Sequence, residues 1–235
     1  MRRGALRARG VAVMLAASLT GCAAGSGAPA RVFRAEAPSR DYVDRIETLA
    51  ILETLNATLL SHASATATLT DWCASHRLGA PARIVADRIP VEPVPATSEQ
   101  RHELAVSAYE PLRFRHVRLR CGDVVFSEAD NWYVPARLSE DMNRQLESTD
   151  QPFGMVVAPL HFQRHTLSAK LLWQPLPADW DMEPPAAGSA PPDTGVTPPK
   201  VLEHRAILSL PDGTPFSEVV ETYTAGVLAF RTRRP

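Results

Sequence analysis

The chain has 235 residues, 45% of them hydrophobic and 22% charged, with a formal net charge of −1. That length suits one domain with enough apolar chain for a sizeable core. The charge balance offers no broad basic surface and so excludes a general nucleic-acid binder. With only three cysteines, a disulfide-rich scaffold is excluded, and no Cys-x-x-Cys suggests a metal site or a metal cofactor.

In chain order, residues 1–10 carry Arg2, Arg3, Arg7 and Arg9 and no acid. Residues 11–19 form an apolar run too short to span a bilayer as a helix. Leu19-Thr20-Gly21-Cys22 follows. A basic start, a short apolar stretch and small residues at a cut site are the marks of a signal peptide. The last four residues resemble the bacterial lipobox, in which the cysteine thiol receives a diacylglyceryl group and becomes the mature N-terminus. The expectation is therefore a signal peptide over 1–21, lipidation at Cys22 and a membrane held through that anchor. Ala23 after the cysteine resembles sorting to the periplasmic face of the outer membrane. Cleavage removes four arginines and no acid, leaving 21 basic against 26 acidic side chains.

Residues 22–39 are rich in Ala, Gly, Ser and Pro and read as a flexible tether. Residues 40–235 read as the domain. Tyr42, Ile46, Leu49, Leu52, Leu55 and Leu59 recur at steps of three and four, which predicts a helix starting near Asp41. Ser64-Ala65-Thr66 reads as a break and a cap, and a second helix carries Leu69, Trp72 and Cys73, closed by Gly79. Period two then takes over. Strands are predicted over 83–90, over 112–120, from Val124 to near Tyr133, over 166–173, over 201–210 and from Phe216 to Phe230, with a moderately helical stretch at 138–148. Cys121-Gly122-Asp123 and Pro211-Asp212-Gly213-Thr214 are turns. Between Gln174 and Lys200 lie eight of the 21 prolines. That stretch reads as an extended insertion outside the core, with a Pro-rich partner-binding segment as the alternative. The sum is an α+β domain, an antiparallel sheet with helices packed on one face. For Cys73 and Cys121 two readings stand side by side: a disulfide in an oxidising compartment, or two small buried apolar side chains.

Arg115 alternates onto the same side as Val117 and Leu119, and a guanidinium among apolar neighbours needs an anion. Glu221 sits in the strand-forming run Val219-Val220-Glu221-Thr222-Tyr223 and needs a partner in turn. The two pair with each other or with local groups, or they face a ligand. Pro152-Phe153-Gly154 reads as a turn whose glycine allows close backbone approach. Arg164-His165 and His204-Arg205 read as isolated surface groups. Nothing in the order of the chain brings a Ser-His-Asp or Cys-His set together.

These features, in their order, resemble the chorismate pyruvate-lyase family. The carriers are Arg115-His116-Val117-Arg118-Leu119 followed by a turn and Pro135, then Leu146, then Pro152-Phe153-Gly154, then Glu221 two residues before Tyr223. Ser64-Ala65-Thr66 stands where that family has Ser-Met-Thr after a Leu-rich helix. The resemblance covers about residues 45–230. It implies an antiparallel sheet with a buried pocket, without cofactor or metal. Arg115 would bind a ring carboxylate, and Phe153 and Gly154 would contact it. Ala65 would stand over the ring, and Glu221 would lie near the ether oxygen as the candidate catalytic proton carrier. The same fold also binds small effectors without chemistry. Three functions follow as expectations. The first is a membrane-anchored binder of a small carboxylate, aromatic acids included. The second is an active lyase releasing 4-hydroxybenzoate and pyruvate. The third is a structural or partner-binding envelope lipoprotein.

Overall fold

A computed structural model of the chain describes residues 40–177, 179–182 and 197–233. Six strands, β1 (Ile84–Arg88), β2 (Arg113–Cys121), β3 (Val124–Tyr133), β4 (Gln163–Leu171), β5 (Lys200–Ser209) and β6 (Pro215–Thr224), form one sheet in the order β1-β2-β3-β6-β5-β4. Every pairing is antiparallel. The expected α+β class is what the chain adopts. Two tight turns set the register of the inner strands. Gly122 joins β2 to β3 with φ +56°, and Gly213 joins β5 to β6 with φ +87°, a region that L side chains enter only at a cost. In the second turn the Asp212 carboxylate accepts from the Thr214 amide at 2.9 Å. β3 pairs with β6, which sets Ala129 opposite Glu221, and β2 pairs with β3, which sets Arg115 opposite Asn131.

Helix α1 (Arg40–Ser61) forms where the three-four spacing predicts it, and Leu52, Leu55 and Leu59 are fully buried. Helix α2 (Ala65–Ser75) starts at Ser64, whose hydroxyl accepts from the Ala67 amide at 3.2 Å. Both pack on one face of the sheet, over Leu119, Phe126, Leu202 and Tyr223. Trp72 ties α2 to the end of the chain by donating to Val227 O at 2.9 Å. α2 does not close at Gly79, as the sequence suggested. Its cap is His76, and Arg77 takes the left-handed conformation at φ 52°. Gly79 has another task. A Cβ there would stand 2.9 Å from Cys121 Sγ and 3.4 Å from Cys73 Sγ, so its bare Cα leaves room for the disulfide that these two cysteines form. Of the two readings of the cysteine pair, the structure takes the disulfide, and both side chains are also fully buried.

Other departures have local causes. The last strand ends at Thr224 rather than Phe230, and Ala225–Arg233 runs as 3-10 turns. A Cβ on Gly226 would meet Val125 O at 2.0 Å, so the chain crosses close over β3 there. Helix α3 (Ser98–Glu103) was not foreseen, although Thr97 and Gln100 make a reciprocal capping box. It lies on the face opposite the other helices, where Gln100 Nε2 donates to Glu218 Oε1 at 3.3 Å. Helix α4 (Glu140–Ser148) buries Leu146, and Phe153–Val156, expected as a plain turn, is the short helix α5. The Pro-rich insertion was expected to stay out of the core, but its start does not. Pro175 and Leu176 are buried, and Tyr42 Oη donates to Trp180 O at 3.2 Å. Residues 178 and 183–196 of that insertion, the expected signal peptide, Cys22 and the expected tether lie outside the described residues. No described helix is long and apolar enough to cross a membrane.

The disulfide links positions 48 residues apart and pins α2 to the end of β2. Reduction, or paired Cys73→Ser and Cys121→Ser substitution, should lower the free energy of urea unfolding by about 2–4 kcal/mol. An unchanged midpoint under reducing conditions would show that the two thiols are not linked.

Candidate ligand site

The pleat of three adjacent strands builds the floor of a cavity. β2 turns Arg115, Val117 and Leu119 to the helical face, β3 turns Ala129 and Asn131, and β6 turns Val219 and Glu221. Arg164 reaches in from β4. The roof is the loop into α2, Ala63 to Thr66, together with Phe153 and Gly154 of α5. The two roof elements meet closely. A Cβ on Gly154 would stand 3.0 Å from Thr66 Oγ1 and 3.2 Å from Ser64 Oγ, so the glycine lets α5 close against α2. The cavity volume is about 40 Å3, counted as the space open to water centres. At roughly 10–15 Å3 for each water this is room for about three. All five residues singled out for ligand contact, Ala65, Arg115, Phe153, Gly154 and Glu221, line this one cavity.

Arg115 is 7% exposed. Its Nη2 donates to Gln151 O at 3.0 Å. Its Nε and Nη1 are buried with no hydrogen-bond partner. Burial pulls the guanidinium down to about 10, against a raising effect of Tyr133 and with a further lowering by Arg88. The loop that supplies Gln151 also covers the edge of the sheet, where the Ala86 amide donates to Asp150 O at 2.8 Å. Arg115 and Glu221 do not pair with each other. Glu221 accepts from Arg164 Nη2 at 2.5 Å and from Tyr223 Oη at 3.1 Å. Burial alone would lower the Arg164 pKa, but Glu221, Tyr223 and the hydrogen bond to Glu221 outweigh it and raise it. The Tyr223 phenol is pushed well above its ordinary value by burial and by Glu221, so it stays protonated and donating. Two guanidinium groups thus face one carboxylate, and the cavity wall carries one uncompensated positive charge.

Arg164 and His204 were read as surface groups and are not. The Arg164 side chain is 4% exposed, and His204 is fully buried. Sequence reasoning also passed over Asn131. Its Oδ1 accepts from Ser217 Oγ at 3.1 Å, and the residue lines the cavity beside Arg115. The available signal was a polar side chain in step with Ala129 on an inner strand. Arg205 does not face the cavity. It pairs with Glu218 and Glu99 on the other face of the sheet. Among the described residues no three His, Cys, Asp or Glu side chains lie together to hold a metal ion.

His204 lies opposite Glu221 on β5, and its Nε2 bonds to Asn56 Oδ1 at 2.8 Å. Burial lowers its pKa from 6.5 to about 4, with Glu221 opposing the shift and Arg164 adding to it. The unfolded chain therefore takes up this proton before the folded one does. Stability is full above pH 6.5 and falls as the pH drops from 6.5 to about 4, by an amount on the order of 3 kcal/mol. Urea unfolding of the wild type and His204→Gln at pH 7 and pH 4.5 measures it. The wild type should lose about 2 kcal/mol more than the variant, and equal losses would place the titration elsewhere.

No family model matches the chain. Solved structures similar to it include the effector domain of PhnF from Mycobacterium smegmatis, at 10% identity and TM-score 0.42, covering 69% of this chain and 88% of that one. The ligand-binding domain of a putative GntR-family transcriptional regulator from Bordetella bronchiseptica matches at 15% identity and TM-score 0.38, covering 60% and 82%. A possible transcriptional regulator, YydK from Bacillus subtilis, matches at 12% and 0.36, and this chain spans 58% of its length. Likeness at this level assigns no function. A relative in sequence is far nearer: the uncharacterized protein y4mC of Sinorhizobium fredii is 53% identical over 191 residues, 80% of this chain and 79% of that protein. The chain belongs to the family of y4mC.

Proposed function

We propose that this protein binds a compact carboxylate in the cavity above β2, β3 and β6, with Arg115 as the principal contact, and that lipid on Cys22 holds it at the bacterial cell envelope. The observation that carries the reading is Arg115 itself, buried with two donor nitrogens that meet no partner. An isolated buried charge is costly. A carboxylate forked across Nη2 and either Nε or Nη1 cancels the charge and satisfies one of the two open donors. Asn131 adds a neutral polar group on the same floor. The first turn of α2 adds backbone amides that a helix leaves without an internal partner. A cavity sized for about three waters suits an acid of a few heavy atoms. A benzoate ring requires α5 to shift away from α2.

The ion pair of Glu221 with Arg164 favours binding over lysis. The Oε2 of Glu221 already accepts from both a guanidinium and a phenol, so that oxygen is occupied by the protein itself. In this reading Glu221 sets the position of Arg164 and repels a second anion. The order of Arg115, Pro152-Phe153-Gly154 and Glu221 supports kinship with the chorismate-lyase fold without its chemistry. For the compartment, the support is the lipobox-like run before Cys22 together with the Cys73–Cys121 disulfide, a bond that persists in oxidising environments.

Titration calorimetry of the full-length protein with acetate, pyruvate, benzoate and 4-hydroxybenzoate, with and without Arg115→Met, tests the site. The wild type should bind at least one of these acids saturably. The variant should lose about 2–5 kcal/mol of that affinity. In the absence of ligand the variant should be no less stable than the wild type, and more stable by about 1 kcal/mol or above, because an unpaired buried charge is gone. An Arg115→Met protein that unfolds more easily and a wild type that binds no acid would together make Arg115 a structural group. Incubation with chorismate should release no pyruvate above background. For the anchor, Cys22→Ser should abolish incorporation of a labelled fatty acid in cells, and undiminished label would rule out that cysteine.

A further inference from the structure

Arg115 borders two spaces. On one side is the cavity beneath α2 and α5. On the other is an open groove of about 340 Å3, lined by Arg88, Arg113, Leu112, Tyr133, Leu146 and Glu147. The charges facing this groove do not balance. Arg113 is paired with Glu147. Arg88, at the end of the edge strand β1, is exposed and makes no ion pair among the described residues. It is close enough to Arg115 to disfavour the charge on that guanidinium. Two like charges, one of them buried and missing partners on two nitrogens, repel each other across a wall that is otherwise apolar or neutral. Nearby acids do not relieve this. Asp87, the neighbour of Arg88, is taken by Arg120 at 2.7 Å, and Asp150 is taken by Arg83 at 3.4 Å.

Resting on the carboxylate-binding reading above, we propose that the groove is an outer anion subsite in which Arg88 receives a second negative group, so that the ligand is a dicarboxylate with one carboxylate at Arg115 and the other at Arg88. The second carboxylate relieves the repulsion between the two arginines as well as pairing with Arg88. The inner subsite sets the requirement for an acid, and the outer one selects a double charge. Arg88 is a specificity residue of the site rather than part of its buried wall. Its replacement therefore leaves the core untouched.

The probes are malonate, succinate and glutarate, each beside its own monoamide, which keeps the skeleton and removes one charge. Affinities are measured by calorimetry on the full-length wild type, Arg88→Ala, Arg88→Glu and Arg115→Met. The best diacid should bind the wild type at least about fivefold more tightly than its monoamide at low salt, and raising the ionic strength should shrink that ratio. Arg88→Ala should bring the ratio close to one, and Arg88→Glu should invert it. A wild-type ratio of one, or a ratio that survives Arg88→Ala, overturns the outer subsite. If the monoamide still binds in an Arg115-dependent way, that result leaves the inner site standing. Failure of every acid to bind the wild type, or monoamide binding that survives Arg115→Met, overturns both.

Discussion

An arginine buried with two of its donors unpartnered is the constraint around which the rest of this molecule is arranged. Arg115 stands in an inner strand, under the roof made by the start of α2 and by α5, and one carbonyl, Gln151 O, holds it in place. Folding alone gives no reason to keep such a group. A methionine of similar reach would fill the space without the desolvation cost. The elements around it nevertheless converge on keeping it there. The loop carrying Gln151 is fastened to the edge strand through Asp150. Gly154 lets the roof close, and the disulfide anchors the far end of the roof helix.

Among the described residues the buried carboxylates are matched. Glu221 has Arg164 and Tyr223, and Glu218 has Arg205 and Gln100. This contrast separates paired ionic groups from unpaired ones. Matched pairs lie on both faces of the sheet and tie neighbouring strands β4, β5 and β6 together. The unmatched arginines, Arg115 and Arg88, come from β2 and β1 and face hollow space. Placing a carboxylate close to Arg164 but away from Arg115 also keeps the cavity wall from neutralising itself, so one positive charge remains.

The helical spacing of α1, the alternation along β2, and the turns at Gly122 and Gly213 were all legible, because each is a local pattern with one physical solution. The capping box at Thr97 and Gln100 was also present in the chain but covers only six residues, too few for a periodic signal. Gly79 and Gly226 were open to misreading, because a glycine shows that something comes close without showing what. In one case the neighbour is a disulfide 42 residues along the chain, and in the other it is the carbonyl of Val125. Arg164 and His204 were misplaced for a related reason. A polar residue in a strand of mixed faces shows its environment only when the neighbouring strand is known.

By itself the sequence determined the class of the domain and most of its helical and stranded segments, and its resemblance to a known family singled out the five residues that come to line one cavity. Those follow from periodicity, turn chemistry and the order of motifs, all of which are carried by residues near one another in the chain. It also contains the lipobox-like run at Cys22, which lies outside the domain. Only the tertiary structure decided the partners. The pairing of β3 with β6 and of β6 with β5 brought Glu221 beside His204 and within reach of Arg164, and left Arg115 without a carboxylate. Ion pairing depends on distances of a few ångströms between side chains, and Arg164 and Glu221 lie 57 residues apart. Strand order sets those distances, and no local pattern contains them.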